Sequence, residues 1–349
     1  MTSALRTGLC GRFGIEVPIV QAPIGSAVTP ALAAAVSRAG GLGMLALTWV
    51  TGQEATGQIR RVREMTGRPF GVNLVLDFPI DNLLGVCLDQ GVSIISTFWG
   101  DPSQVARQVH AAGALHLHSV GSADEARRAV DAGVDVIVAQ GWEAGGHVRG
   151  EITTMALVPA VVDAVDPIPV IAAGGIGDGR GLAAVLTLGA QAGWLGTRFL
   201  VAEEAATHQE YRQIVLDAEP QHAVLTRCFD GGWPDAPHRA IRNSTINAWQ
   251  AAGSPPSPQR PGEATVVATT SQGRPQLRYA DTIPLPGMTG DLEAMALYAG
   301  QSVGLVHSLD PAEEIVHTIA SQATSILAPA PLDTSSTPCQ PGEKPRNLQ

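Results

Sequence analysis

From residue 19 to about residue 200 the chain alternates short apolar, β-branched runs with alanine-rich stretches of helical character. Strands and helices that alternate in this way build parallel sheets, because a parallel neighbour needs a crossover long enough to hold a helix. The strands read as Ile19 to Gly25, Gly43 to Leu47, Phe70 to Leu76, Ser93 to Trp99, Leu115 to Val120, Val134 to Gly141, Pro169 to Gly175 and Ala192 to Leu200. Eight such strands predict an α/β fold, a (βα)8 TIM barrel with its helices outside. Predicted helices between them include Pro30 to Ala39, Gln104 to Ala112, Ala123 to Ala132 and Gly181 to Leu188. Gly40, Gly113, Gly133 and Gly189 stand at helix ends, where a left-handed cap is inexpensive for glycine.

Residues 1–200 therefore form the predicted barrel core. At 349 residues the chain exceeds a bare barrel of about 250 by roughly 100. Past residue 200 the rhythm fails. His208 to Ala218 reads as a helix, Gly231 to Pro261 is rich in Gly, Pro and Asn, and Gly290 to Val306 reads as helix again. We assign 201–290 to a cap or insert that shapes a substrate pocket, and 291–328 to C-terminal helices packing back on the barrel. Residues 329–349, rich in Pro, Ser and Thr, are expected to be disordered.

Charge narrows the functions open to such a chain. Its 22 basic and 32 acidic residues give a net charge of -10, which repels phosphate backbones and argues against nucleic acid or an anionic membrane as partner. Lys344 is the one lysine, so the body of the chain carries neither a Walker A loop nor Schiff-base chemistry. Cys10, Cys87, Cys228 and Cys339 are far apart with no CxxC pair, and the N-terminal segment lacks an apolar signal region. These features predict a soluble protein of the reducing cytoplasm and leave a homodimer open.

Barrel enzymes carry their chemistry at the C-terminal ends of the strands, often with a phosphate site after strands seven and eight. The seventh predicted strand ends in Ala172-Ala173-Gly174-Gly175-Ile176-Gly177, and the eighth contains Gly196-Thr197-Arg198. Glycines there let backbone N–H groups approach a phosphate closely, and the following helix adds its positive end. The spacing is not GxGxxG and does not follow the first strand, which favours a mononucleotide over a dinucleotide. The sixth strand opens into Gln140-Gly141-Trp142-Glu143-Ala144-Gly145-Gly146-His147, placing an imidazole at the mouth. Histidine is the side chain best suited to move a proton near neutrality. His116 and His118 share a face of the fifth strand but have no evident third ligand, so no metal is predicted.

Pro18 to Ile24, Gly71-Val72-Asn73-Leu74, Gln140 to His147, the AAGGIG loop and the LGTRF strand together resemble the nitronate monooxygenase family, formerly called 2-nitropropane dioxygenases. Tyr298 to Gly304 resembles that family's C-terminal signature, and the likeness spans about residues 9 to 320. The resemblance implies a barrel holding non-covalent FMN. It implies that Ala22, Pro23 and Ile24 lie under the isoalloxazine, with Asn73 and Gln140 as polar contacts and Gly145 near the ring. By the same likeness Gly174, Gly175, Gly196 and Thr197 hold the phosphate, and His147 is the catalytic histidine. Ile24 stands where methionine is common, His118 where a small polar residue is, and Val148 with Arg149 separates His147 from Gly150. These departures bear on the substrate more than on the cofactor.

The expected reaction is oxidation of an alkyl nitronate, such as propionate 3-nitronate, by O2 to a carbonyl compound and nitrite, with His147 as base. The alternative is an NAD(P)H-dependent FMN reductase of enoyl thioesters or quinones, a group sharing these motifs. A third reading is a flavin-binding or phosphate-binding protein without turnover.

Overall fold

The computed structural model describes residues 5–328. The chain begins with α1 (Gly8–Phe13) and β1 (Ile19–Gln21), then alternates through α2 (Pro30–Arg38), β2 (Gly43–Ala46), α3 (Gly52–Met65), β3 (Phe70–Val75), α4 (Asp81–Asp89), β4 (Ile94–Phe98), α5 (Ser103–Ala111), β5 (Leu115–Val120), α6 (Ala123–Asp131) and β6 (Val136–Gln140). A two-residue strand β7 (Gly146–His147) precedes α7 (Thr154–Val165), β8 (Val170–Ala173), α8 (Gly179–Thr187) and β9 (Ala192–Leu195). The eight long strands pair in parallel in the order β1-β9-β8-β6-β5-β4-β3-β2. Closure between β2 and β1 rests on a single bridge, Val20 to Leu42. Gln21 strengthens this seam, its N–H donating to Leu42 O at 3.0 Å while its Oε1 accepts the Met44 N–H at 3.0 Å. The expected TIM-type barrel is therefore the observed fold.

Alternation along the strands sorts residues between two layers. Val20, Met44, Ile94, Leu117, Val136, Val138, Ile171 and Trp194 fill the barrel, and Leu9, Cys10 and Phe13 of α1 pack into the same cluster. The opposite faces meet the helices. Thr29, Ser122 and Asp178 cap α2, α6 and α8 with side-chain oxygens, and Thr51 with Glu54 forms a capping box on α3. Gly113, Gly133 and Gly189 follow their helices at φ of +71°, +94° and +97°, as their placement in the sequence predicts.

Beyond β9 come α9 (Gln209–Asp217), β10 (Ala223–Thr226), β11 (His238–Ile241), α10 (Ser244–Ala251), β12 (Val266–Thr269), β13 (Pro275–Leu277), β14 (Thr289–Gly290) and α11 (Ala312–Leu327). β11 pairs antiparallel with both β10 and β7, which ties this region to the loop after β6. α11 packs on α8 and α2. The tail 329–349 lies outside the described residues. Among the described residues no helix is long and apolar enough to cross a membrane.

Three predicted elements differ. The helix expected over Gly290 to Val306 is instead two 3-10 turns, Leu292–Ala294 and Gln301–Leu305, around an extended run. That run is held by sheet-like contacts: Ile241 N–H donates to Leu297 O at 2.8 Å, and Ala240 bridges Tyr298. Tertiary pairing overrides the local helical pattern there. The first strand stops at Gln21, before Pro23 and a 3-10 turn at Gly25–Ala27. The last barrel strand stops at Leu195 because Gly196 turns the chain into a 3-10 turn, Thr197–Val201.

Candidate active site

The early ends of β8 and β9 matter because they release backbone donors. Gly174 and Gly175 adopt φ of +97° and +73°, a region closed to most side chains. Among the described residues the N–H groups of Gly175, Ile176, Gly177 and Gly196 have no acceptor in the chain. Thr197 Oγ1 accepts the Gly300 N–H at 2.9 Å, which leaves its hydroxyl proton free to donate. A Cβ on Gly196 would lie 3.4 Å from Ile24 and 3.5 Å from Ala22, so the turn after β1, Pro23 included, adjoins this row of donors. Neighbouring strand ends thus present unused amides and a hydroxyl, the ingredients of an anion cradle.

Arg198 and Glu143 stand beside the cradle without belonging to it. The Arg198 guanidinium pairs with Asp310 and donates to Ser308 O at 3.1 Å, pinning the turn after β9 to the segment that leads into α11. Glu143 accepts the Thr154 N–H at 2.8 Å and lies 3.0 Å from Thr154 Oγ1. It fastens the loop after β6 to the start of α7.

His147 sits on β7, opposite His238 of β11. Its loop is held from several sides. Gln140 Nε2 donates to His147 O at 3.0 Å and Val148 N–H to Pro237 O at 2.9 Å. Arg239, 1% exposed, donates to Trp142 O at 2.7 Å and to Ala223 O at 3.0 Å, with its guanidinium 4.5 Å above the Trp142 ring. Gly145 allows the loop to touch Ala299 and Gly300, where any Cβ would collide.

Aromatic rings surround the imidazole. Trp233 lies 4.2 Å from it at 33°, and the rings of His238 and Tyr298 are each 5.5 Å away. His147 Nε2 and the Tyr298 hydroxyl are both buried with no hydrogen-bond partner. Burial, with a smaller contribution from His238, lowers the His147 pKa to about 3, and burial raises that of Tyr298 well above its usual value. The imidazole is therefore neutral with Nε2 unengaged, and the same burial weakens it as a base. Asn73, within β3, donates to Ser96 Oγ at 3.2 Å and is 7% exposed.

His116 and His118 do not join this group. They lie on the face of β5 opposite Leu117, which faces the barrel interior, and Thr97 Oγ1 contacts a ring nitrogen of each at 2.8 Å. Among the described residues no three His, Cys, Asp or Glu side chains form a metal-binding group. Two surface clefts, one beside Asp178 and Gln322 and the other beside Thr207 and Arg212, have none of the mouth residues in their walls. Sequence reasoning missed Trp233, His238 and Arg239, which come from a segment with no periodic pattern. Tyr298 stood in a noted motif, but its contact with His147 depends on the extended run that was read as helix.

A parallel barrel whose mouth carries an anion cradle and the neutral imidazoles of His147 and His238 has the make-up of an enzyme that acts on small molecules. The model of the nitronate monooxygenase family matches residues 6–82 and 79–322. The chain is 32% identical over 361 residues to a nitronate monooxygenase of Pseudomonas aeruginosa, covering 89% of this chain and 97% of that protein. It is also 32% identical over 353 residues to (3aS,4S,5R,7aS)-5-hydroxy-7a-methyl-1-oxo-octahydro-1H-indene-4-carboxyl-CoA dehydrogenase of Mycobacterium tuberculosis, covering 93% and 98%. Among solved structures, FabK from Thermotoga maritima superposes with a TM-score of 0.80 at 35% identity, covering 92% and 97%. The chain belongs to the nitronate monooxygenase family and is an oxidoreductase.

Proposed function

We propose that this enzyme is an FMN-dependent nitronate monooxygenase that converts alkyl nitronates, propionate 3-nitronate among them, and O2 to a carbonyl compound and nitrite. The observation that carries the reading is that the loop bearing the neutral imidazole of His147 and the turn bearing Thr197 meet at Gly300, at the same barrel end as the unused amides that follow β8 and β9. These residues fit a phosphate-bearing planar cofactor. Gly174, Gly175, Gly196 and Thr197 would hold the phosphate, and Ala22, Pro23 and Ile24 would give the ring an apolar floor. Asn73 supplies a polar contact, Gly145 keeps the backbone close, and Gln140 acts through the loop it steadies. Bound FMN supplies the electron-accepting and oxygen-reacting chemistry. His147 receives the proton from the carbon bearing the nitro group when the substrate arrives as a neutral nitroalkane. With a preformed nitronate it serves to orient the anion. Buried, unpaired Cys10, Cys87 and Cys228 suit a reducing cytoplasm.

The relative named as a carboxyl-CoA dehydrogenase favours a second reading, a flavin-dependent oxidoreductase of thioesters using NADH or NADPH. One experiment separates them. Anaerobic mixing of the purified protein with propionate 3-nitronate should bleach the flavin, whereas NADH and NADPH should bleach it slowly. Fast bleaching by a pyridine nucleotide and none by the nitronate would move the assignment to the second reading.

A further inference from the structure

Aromatic residues are scarce in this chain: 6 Trp, 6 Phe and 3 Tyr in 349 residues. Five of them nevertheless gather at one side of the mouth. Trp49 meets Phe78 at 5.4 Å, Phe78 meets Trp233 at 5.3 Å, Trp233 meets Trp99 at 4.8 Å and Trp99 meets Phe98 at 4.9 Å. Trp233 continues the series to His147 at 4.2 Å. Exposure grades along it: Trp49 is 52% exposed, Phe78 and Trp99 are half-buried, and Trp233 is 5% exposed. A continuous series of ring contacts thus leads from solvent to the imidazole.

Two details show that the wall is built rather than incidental. Trp99 adopts φ of +65°, a costly conformation for a bulky side chain, at the C-terminal end of a barrel strand where substrate-contacting residues belong. Trp233 is fixed in place by its indole N–H, which donates to Asp77 Oδ2 at 3.0 Å. Arg149, which lies 5.4 Å over Trp99, is already paired with Glu125 at 2.7 Å. The wall therefore offers apolar area, with the Asp77 carboxyl group at its edge.

We propose that Trp49, Phe78, Trp99 and Trp233 bind the carbon chain of the substrate and select an extended apolar chain over a small polar one. The inference rests on His147 marking the reaction centre, because the wall ends there. It holds for a long-chain nitronate and for the acyl part of a thioester alike. Each buried methylene should raise kcat/KM about three- to four-fold until the wall is spanned.

Two measurements on the purified holoenzyme test this. In the first, kcat/KM is compared across nitronates prepared from nitroethane to 1-nitrooctane. In the second, calorimetric titration compares sodium octanoate with sodium butyrate, a probe that needs no turnover. Trp49→Ala removes an exposed ring, and Trp99→Gly removes a ring while relieving the left-handed backbone, so both variants should fold. The proposal expects a rising series, tighter binding of octanoate than butyrate, and a loss of both trends in the two variants. A flat series with equal binding of the two carboxylates overturns it, as does octanoate binding that neither variant weakens. If no nitronate is turned over at any length, the reaction assignment fails, and the octanoate titration alone decides the wall.

Discussion

His147 combines a neutral ring with a place at the mouth, and the two properties make separate predictions. General acid–base groups contribute about 10² to 10⁴ in rate. His147→Ala should lose activity on neutral nitroalkanes within that range and lose less on the preformed nitronates, which have no proton to give up. Equal losses on both, measured as kcat/KM, would assign the residue to positioning. Burial holds the His147 pKa near 3, so the ring is almost wholly in its proton-accepting form from pH 5 upward. Accordingly, kcat/KM for a nitronate should show no acid limb from this group between pH 5.5 and about 7. A limb near pH 6.5 that disappears in the alanine variant would mean the ring is open to water. Arg198, by contrast, is spent on Asp310 and Ser308. Arg198→Ala should leave the bound flavin spectrum intact while costing about 1–3 kcal/mol in denaturant unfolding, less than a fully buried pair because Asp310 is partly exposed. Flavin loss without destabilisation would show that the guanidinium holds the phosphate.

At the scale of elements, the cradle exists because β8 and β9 stop short. A side chain at Gly175 would point toward Glu143 and Thr154 and be forced into a left-handed backbone, so the turn that carries the free N–H groups would have to rearrange. Gly175→Val should therefore yield protein that loses its flavin on gel filtration, and a variant that stays yellow would show the phosphate lies elsewhere. The strands and helices up to β9 were legible because their periods, caps and glycine stops are local. The boundaries were less so: Pro23 and Gly196 each end a strand that the apolar pattern alone would extend. The glycines and His147 could be singled out because loop chemistry next to a strand end has a sequence signature. The companions of His147 had none. Trp233 and His238 approach it through pairing of β11 with β7, a contact between segments distant in sequence. Segment 290–306 carries a helical pattern, yet Leu297 and Ala299 are buried by extended pairing with β11, which only the assembled fold specifies.

Across the whole molecule, three buried histidines and the half-buried His147 couple the fold to pH. Burial is the main cause that lowers His116 and His147 to about 3, and His118 and His238 to about 4. In the unfolded chain each would titrate near 6.5. Below that pH the unfolded chain takes up protons that the folded protein refuses, so stability that is complete above about pH 6.5 falls as the solution is acidified toward the folded values. The limiting slope is about 1.4 kcal/mol per pH unit for each histidine. Glu125 acts lower, raised by burial but held below its usual value by the Gly121 N–H and Arg149, whereas burial raises Asp281, which works in the opposite sense. The window from pH 6.5 to 5 therefore reports chiefly on the histidines, whose four shifts share one sign. Urea unfolding at pH 7, 6 and 5 should show a steep loss of stability. His116→Gln keeps an atom able to meet Thr97 Oγ1 and removes the titrating ring, so its slope should be shallower by about one proton. A pH-independent midpoint over that window would mean that the four rings are hydrated in the folded protein. An unchanged slope in His116→Gln would transfer the effect to the other three, two of which, His147 and His238, line the candidate site, where acid lability and proton chemistry would share the same residues.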